Sequence, residues 1–170
     1  MRTFTRARTL ALVVLATCLA FVAAVPASAQ EAIFIVRHAE RLDDTKDSVL
    51  SPEGVSRAGR LAAALRDSGI TAVFSTQYRR TADTGRPLAE HLGLPVTPVS
   101  ADQQDELRKQ VTALGPAARV LIVGHSDTVP ELLAAFGHPN TIAIAKDEYD
   151  NLFVLVPRAG SRPLVLRLRY

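Results

Sequence analysis

Two short apolar runs, Ala32-Ile33-Phe34-Ile35-Val36 and Val120-Leu121-Ile122-Val123, are continuous and rich in β-branched residues. That is the pattern of strands covered on both faces in a parallel sheet. Each run stops at a polar cluster, Arg37-His38-Ala39-Glu40 in the first case and Gly124-His125-Ser126-Asp127-Thr128 in the second. Ligands of open α/β sheets bind in the crevice beyond the carboxyl ends of the strands. If the two strands are neighbours, Arg37, His38 and His125 share that crevice.

Between these runs the pattern turns helical. Ser51-Pro52-Glu53 has the order of a helix start, with Ser51 as N-cap, Pro52 at the first helical position and Glu53 near the positive end of the dipole. Val55, Ala58, Leu61, Ala62 and Leu65 follow on one face, and Asp67-Ser68-Gly69 closes the segment. Ile70 to Ser75 predicts a second strand. A helix is expected from about Gln77 to Leu92, broken or kinked at Pro87, then a short strand at Val96 to Val99. Asp105 to Leu114 is helical in character and Gly115-Pro116 stops it. Pro130 to Phe136 opens another helix, closed by Gly137. Asn151 to Val156 and Pro163 to Arg169 predict a terminal hairpin or pair of edge strands around Ala159-Gly160. Alternating strands and helices indicate an α/β three-layer sandwich with a mostly parallel central sheet flanked by helices. There is no internal repeat, low-complexity linker or sign of a second domain.

The N-terminal segment stands apart from this pattern. Arg2, Arg6 and Arg8 precede an apolar stretch from Leu10 to Val25, and Ala27-Ser28-Ala29 supplies small residues for cleavage, as in a secretory signal peptide. The expected organisation is a signal peptide over 1–29 and one domain over 30–170, with a secreted or periplasmic location. An uncleaved membrane anchor is the competing reading, disfavoured because the apolar core is short for a span. Three of the 20 basic residues and none of the 17 acidic ones precede Gln30, so the remainder carries equal numbers of each. The basic balance of the full chain therefore belongs to the leader, and neither a nucleic-acid partner nor a membrane partner after cleavage is expected. Cys18 is the only cysteine, which leaves the domain without a disulfide, a thiol nucleophile or cysteine metal ligands.

Three motifs in order, Arg37-His38-Ala39, Ser75-Thr76-Gln77-Tyr78-Arg79-Arg80-Thr81-Ala82-Asp83-Thr84 and Gly124-His125-Ser126, resemble those of the histidine phosphatase superfamily, the phosphoglycerate mutase-like clan. Leu50-Ser51-Pro52-Glu53-Gly54 matches its usual helix start, and in size the chain is similar to the small bacterial phosphohistidine phosphatases. The resemblance implies that His38 attacks phosphorus and carries a transient phosphoryl group, while Arg37, Arg80 and His125 hold the phosphate oxygens. It favours Arg80 over Arg79, because the family spaces its arginine four residues before a threonine, here Thr84. The chemistry agrees, since phosphoryl transfer rests on positioning and charge stabilisation and guanidinium groups offer forked, permanent donors to phosphate. Two arginines and a second histidine should lower the pKa of His38 and keep its ring ready to attack. No metal or other cofactor is required in this scheme.

The donor of a proton to the leaving oxygen stays open among Glu40, Asp102, Asp105, Glu106 and Asp127. The stretch from Pro87 to Ala118 is too short for a substantial lid, so the expected site is shallow and open to a phosphorylated small molecule or a phosphoprotein. Arg57, Arg60 and Arg79 are expected on solvated helix faces, and His91 and His138 in structural or exposed positions.

Three other readings use the same residues. A phosphate-binding module would keep the pocket without turnover. A serine hydrolase would use Ser126 in a nucleophile elbow, but Thr128 stands where that motif needs glycine, and only His138 follows. His38-Ala39-Glu40 imitates the His-x-Glu of zinc deaminases, but the paired cysteines of such a site are missing.

Overall fold

The computed structural model describes residues 30–138 and 142–170. The segment 1–29, where a signal peptide is expected, and Cys18 within it lie outside them. The elements are β1 (Ala32–Arg37), α1 (Pro52–Leu65), β2 (Ala72–Ser75), α2 (Arg79–Leu92), β3 (Val96–Pro98), α3 (Gln104–Ala113), β4 (Arg119–Gly124), α4 (Thr128–Ala135), β5 (Asn151–Arg158) and β6 (Ser161–Arg169). The strands form one sheet in the order β3-β2-β4-β1-β5-β6. β3, β2, β4 and β1 are parallel, whereas β5 and β6 add an antiparallel end.

Strand alternation divides the apolar residues between two faces. Ile33 and Ile35, Phe74, Val120 and Ile122, and Phe153 and Leu155 pack with Leu107 and Val111 of α3 and Leu132 and Leu133 of α4. Val36, Val73, Leu121, Val123 and Leu152 face the other way, onto Leu61 and Leu65 of α1 and Leu88 and Ala89 of α2. The central strands are buried on both sides, which explains why they read as unbroken apolar runs. These are the three layers expected from the alternation of elements.

The start of α1 follows the sequence closely. Ser51 accepts the Gly54 N–H at 3.2 Å and Pro52 occupies the first turn. Of the break or kink expected at Pro87, the break does not occur, because α2 runs through the proline. The proline removes the hydrogen bond to the Asp83 carbonyl, a cost of roughly 3 kcal/mol or more in a helix interior. Immediately beyond it Leu88 and Ala89 are buried against the sheet, and that packing keeps the last turns helical. The terminal strands do form a hairpin, but only β6 is an edge, since β5 pairs with β1.

Gly54 has a steric role in α1. A Cβ there would stand 2.2 Å from the backbone oxygen of Glu40, in the loop that follows β1. Gly54→Ala is expected to cost about 1–3 kcal/mol through overpacking, read as a lower urea midpoint.

Candidate active site

β1 and β4 are adjacent and parallel, with Arg37 opposite Gly124. The residues that follow are therefore carried to the same sheet edge. The His38 N–H donates to the Gly124 carbonyl at 2.8 Å, and the two imidazole centroids lie 5.2 Å apart. Gly124 is required by close packing, because a Cβ there would stand 2.8 Å from Thr128 Oγ1. That hydroxyl accepts the His125 N–H at 2.8 Å and ties the histidine to the first turn of α4.

His38 Nδ1 lies 2.7 Å from the Ala39 carbonyl oxygen. A carbonyl only accepts, so Nδ1 carries the hydrogen and Nε2 holds the free lone pair. Burial lowers the His38 pKa to about 3, with His125, Arg80 and Arg37 adding to the effect against the opposing Ala39 bond. The ring is neutral throughout the physiological range.

His125 is also neutral in the empty site. Burial first, then Arg80 and Arg37, lower its pKa to about 4, while Asp127 acts in the opposite sense. Arg80 Nη2 approaches Nδ1 at 3.5 Å and Thr76 Oγ1 lies 2.9 Å from Nε2. Arginine only donates, which makes Nδ1 the acceptor and leaves Nε2–H to donate to Thr76. Thr76 continues to Thr81 Oγ1 at 2.8 Å, and Thr81 donates to the Tyr78 carbonyl at 2.7 Å. This chain of hydroxyls orients the ring.

The two guanidinium groups are held differently. Arg37 Nη1 donates to the carbonyls of Ala145, Lys146 and Glu148 at 3.0, 3.0 and 3.2 Å, and its Cζ lies 4.0 Å from the Tyr149 ring centroid. Arg80 Nη1 donates to the Lys46 carbonyl at 2.7 Å, and its Cζ sits 4.5 Å from the centroid of Tyr78. In both side chains the Nε–H is buried without a partner.

The spacing of Arg80 and Thr84 has a physical basis. Thr84 Oγ1 donates to the Arg80 carbonyl one helical turn earlier at 2.7 Å and accepts the Ala39 N–H at 2.9 Å. One hydroxyl thus ties the arginine helix to the loop behind His38. Arg79 is exposed, and its backbone N–H donates to Asp47 at 2.8 Å.

The resulting cavity has a volume of about 430 Å³ and is lined by Arg37, His38, Arg41, Tyr78, Arg80, Ala101, His125, Ser126, Asp127, Thr128, Lys146 and Tyr149. The middle segment supplies only Ala101, in line with the expected absence of a lid there. The walls come instead from the loop after β1 and from the segment before β5. Of the five carboxylates considered as proton donors, only Asp127 reaches the cavity. Its Oδ1 accepts the Thr128 N–H at 2.8 Å. Glu40 is gripped by Arg57 through three contacts of 2.5–2.9 Å, and Arg57 holds its carboxyl below the usual range against the opposing effect of burial. This corrects the expectation for Arg57, whose side chain is only 17% exposed in that pair. Asp102, Asp105 and Glu106 are exposed, as is His91. Neither His91 nor His138 lines the cavity.

Tyr78, Tyr149, Arg41 and Lys146 escaped the sequence reading. Tyr78 lies inside the arginine motif, so its place next to Arg80 was the one available signal. Among the described residues, no group of three or more His, Cys, Asp or Glu side chains is arranged to hold a metal ion.

Acidification should destabilise the fold. An unfolded histidine titrates near 6.5, whereas His38 and His125 titrate near 3 and 4 when folded. The unfolded chain binds more protons between these limits, so stability is full above pH 6.5 and falls progressively below it. The loss is on the order of several kcal/mol, since each pKa unit is about 1.4 kcal/mol. Urea midpoints from pH 7 to 4 should fall, and fall less in His38→Gln.

Comparison with known proteins agrees with this architecture. The family model for the histidine phosphatase superfamily (branch 1) matches residues 33–108, which include His38 and Arg80. No protein of curated function matches the sequence. Among solved structures, mycobacterial glucosyl-3-phosphoglycerate phosphatase is similar with a TM-score of 0.66 and 14% identity, over 82% of this chain and 98% of that one. The protein histidine phosphatase SixA complexed with tungstate gives 0.65 and 18%, over 81% and 96%. YhfR of Bacillus stearothermophilus gives 0.64 and 15%, over 80% and 95%. The motif residues of two parallel strands and one helix meet at a single cavity, and the segment that carries the first two motifs, residues 33–108, is similar to the histidine phosphatase superfamily (branch 1).

Proposed function

We propose that this protein is an exported phosphatase that hydrolyses phosphomonoesters or phosphoramidates through a phosphohistidine at His38. The observation that carries the reading is a neutral imidazole with its Nε2 lone pair free, set in one cavity with the side chains of Arg37 and Arg80. The family and the phosphatases of the same fold support it. The Nε2 lone pair forms a bond to phosphorus as the bond to the leaving group breaks. The electron pair departs with the leaving atom, which takes a proton. Water then attacks phosphorus and the N–P bond breaks, releasing inorganic phosphate and the neutral ring.

Arg37 and Arg80 stabilise the charge on the phosphoryl oxygens. His125 acts conditionally. With Nε2–H committed to Thr76, it reaches a phosphoryl oxygen only from Nδ1, which donates only in the imidazolium. A bound dianion supplies the charge that favours that form. Asp127 is the proposed proton donor, being the carboxylate at the cavity. Ser126 also lines the cavity, but a hydrolase reading finds no support, since both nitrogens of His125 are engaged and His138 lies elsewhere. The leader over 1–29 would direct the domain over 30–170 to a secreted or periplasmic location.

The test is hydrolysis of an aryl phosphate by residues 30–170 with chelator present. Chelator-resistant release of phosphate supports the reading. Tight vanadate binding with no turnover of any ester or phosphoimidazole would instead identify a phosphate-binding module. Asp127→Asn should lower kcat by roughly 10²–10⁴-fold on alkyl phosphates, with a much smaller effect on phosphoimidazole, which leaves without strong acid assistance.

A further inference from the structure

The cavity holds more positive charge than one phosphoryl group uses. Arg37, Arg41, Arg80 and Lys146 line it, against one carboxylate, Asp127. Four cations against a phosphate dianion and an ionised Asp127 leave at least one positive charge uncompensated, and more when His125 is an imidazolium or Asp127 carries its proton. Burial of that excess beneath a substrate is costly unless the substrate answers it.

The cations also differ in how they are held. Arg37 and Arg80 are fixed by backbone carbonyls and aromatic faces, as described above. Arg41 lies in the loop after β1 and Lys146 in the segment before β5, both lining the cavity. Lys146 is exposed, and among the described residues it makes no ion pair. Arg41 pairs with Asp44, but that carboxylate is 93% exposed. A surface pair of this kind is worth roughly 0–1 kcal/mol and is readily exchanged. Arg41 is also close enough to lower the proton affinity of both Arg37 and Arg80, though less than burial does.

We infer that Arg41 and Lys146 form a second anion subsite, and that the substrate is a small phosphomonoester carrying a further negative group, a carboxylate or a second phosphoryl, on the leaving side. The inference rests on the phosphatase reading for turnover but not for binding. Two cations that line the same cavity outside the phosphoryl pocket grip an anion that projects from it. A neutral leaving group leaves both solvated.

The experiment compares n-alkyl phosphates with ω-carboxyalkyl phosphates of two to five carbons. At the best chain length the carboxylated ester is expected to have a kcat/KM about tenfold higher, the equivalent of one charge-assisted contact. That ratio should fall toward one in Arg41→Gln and Lys146→Gln, and in high salt. A ratio of one or less at every length overturns the inference while leaving phosphatase activity intact. If neither series is hydrolysed, the phosphatase reading fails instead. Dissociation constants of the same pairs on His38→Ala then decide the inference, since a second subsite demands the same preference in binding and equal affinities refute it.

Discussion

His38→Ala is expected to abolish phosphoester hydrolysis, with kcat falling by about 10⁴-fold or more, the usual scale for loss of a covalent nucleophile. Nothing else at the cavity can replace it. His125 has both nitrogens engaged, by Arg80 and by Thr76, and as the base of a direct attack by water it would have to give up the Arg80 contact. The variant should still fold, because the imidazole makes a single side-chain hydrogen bond, to the next carbonyl in its own chain. It should also still bind vanadate, since Arg37 and Arg80 remain. Initial-rate kinetics and vanadate titration on the same preparation separate the two effects. Turnover of a labelled ester quenched in alkaline denaturant should trap phosphohistidine in the wild type alone. Substantial hydrolysis by His38→Ala would remove the covalent mechanism.

Arg80→Ala is expected to lower kcat/KM by about 10³–10⁵-fold, the range associated with an arginine that stabilises phosphoryl-transfer charge. Arg80→Lys should recover little of it. Lysine is a point charge without the fork that lets one side chain reach Lys46 with one nitrogen and His125 with another. A second readout follows from the electrostatics. Arg80 is the main charge that lowers the pKa of His125 after burial, so removing it should raise that pKa, measurable by NMR of the imidazole protons. A purely structural role for Arg80 predicts no such rise and a loss of stability in its place. Arg37 behaves differently, because its removal frees three carbonyls before β5 and should loosen that wall as well as the site.

The layers, the helix start at Ser51 and the delivery of two histidines to one edge were legible in the chain. Those features rest on local rules: apolar runs make buried strands, a capped proline starts a helix, and residues after parallel strands share a crevice. The preference for Arg80 over Arg79 was legible as a spacing, although its cause, the Thr84 hydroxyl bridging one helical turn to the loop behind His38, was not.

Tertiary structure decided the rest. Whether Pro87 interrupts α2 depended on Leu88 and Ala89 finding the sheet, which no local propensity reports. Glu40, a neighbour of His38 in sequence, is turned away because Arg57 of α1 lies within reach of it. Tyr149 and Lys146 reach the site from over 100 positions downstream of His38 because β5 returns beside β1. The pKa values of the histidines are set chiefly by burial, a property of the assembled walls and not of any motif. Chemistry written in contiguous residues was readable from the chain, while the partners that tune it are fixed by packing between distant segments.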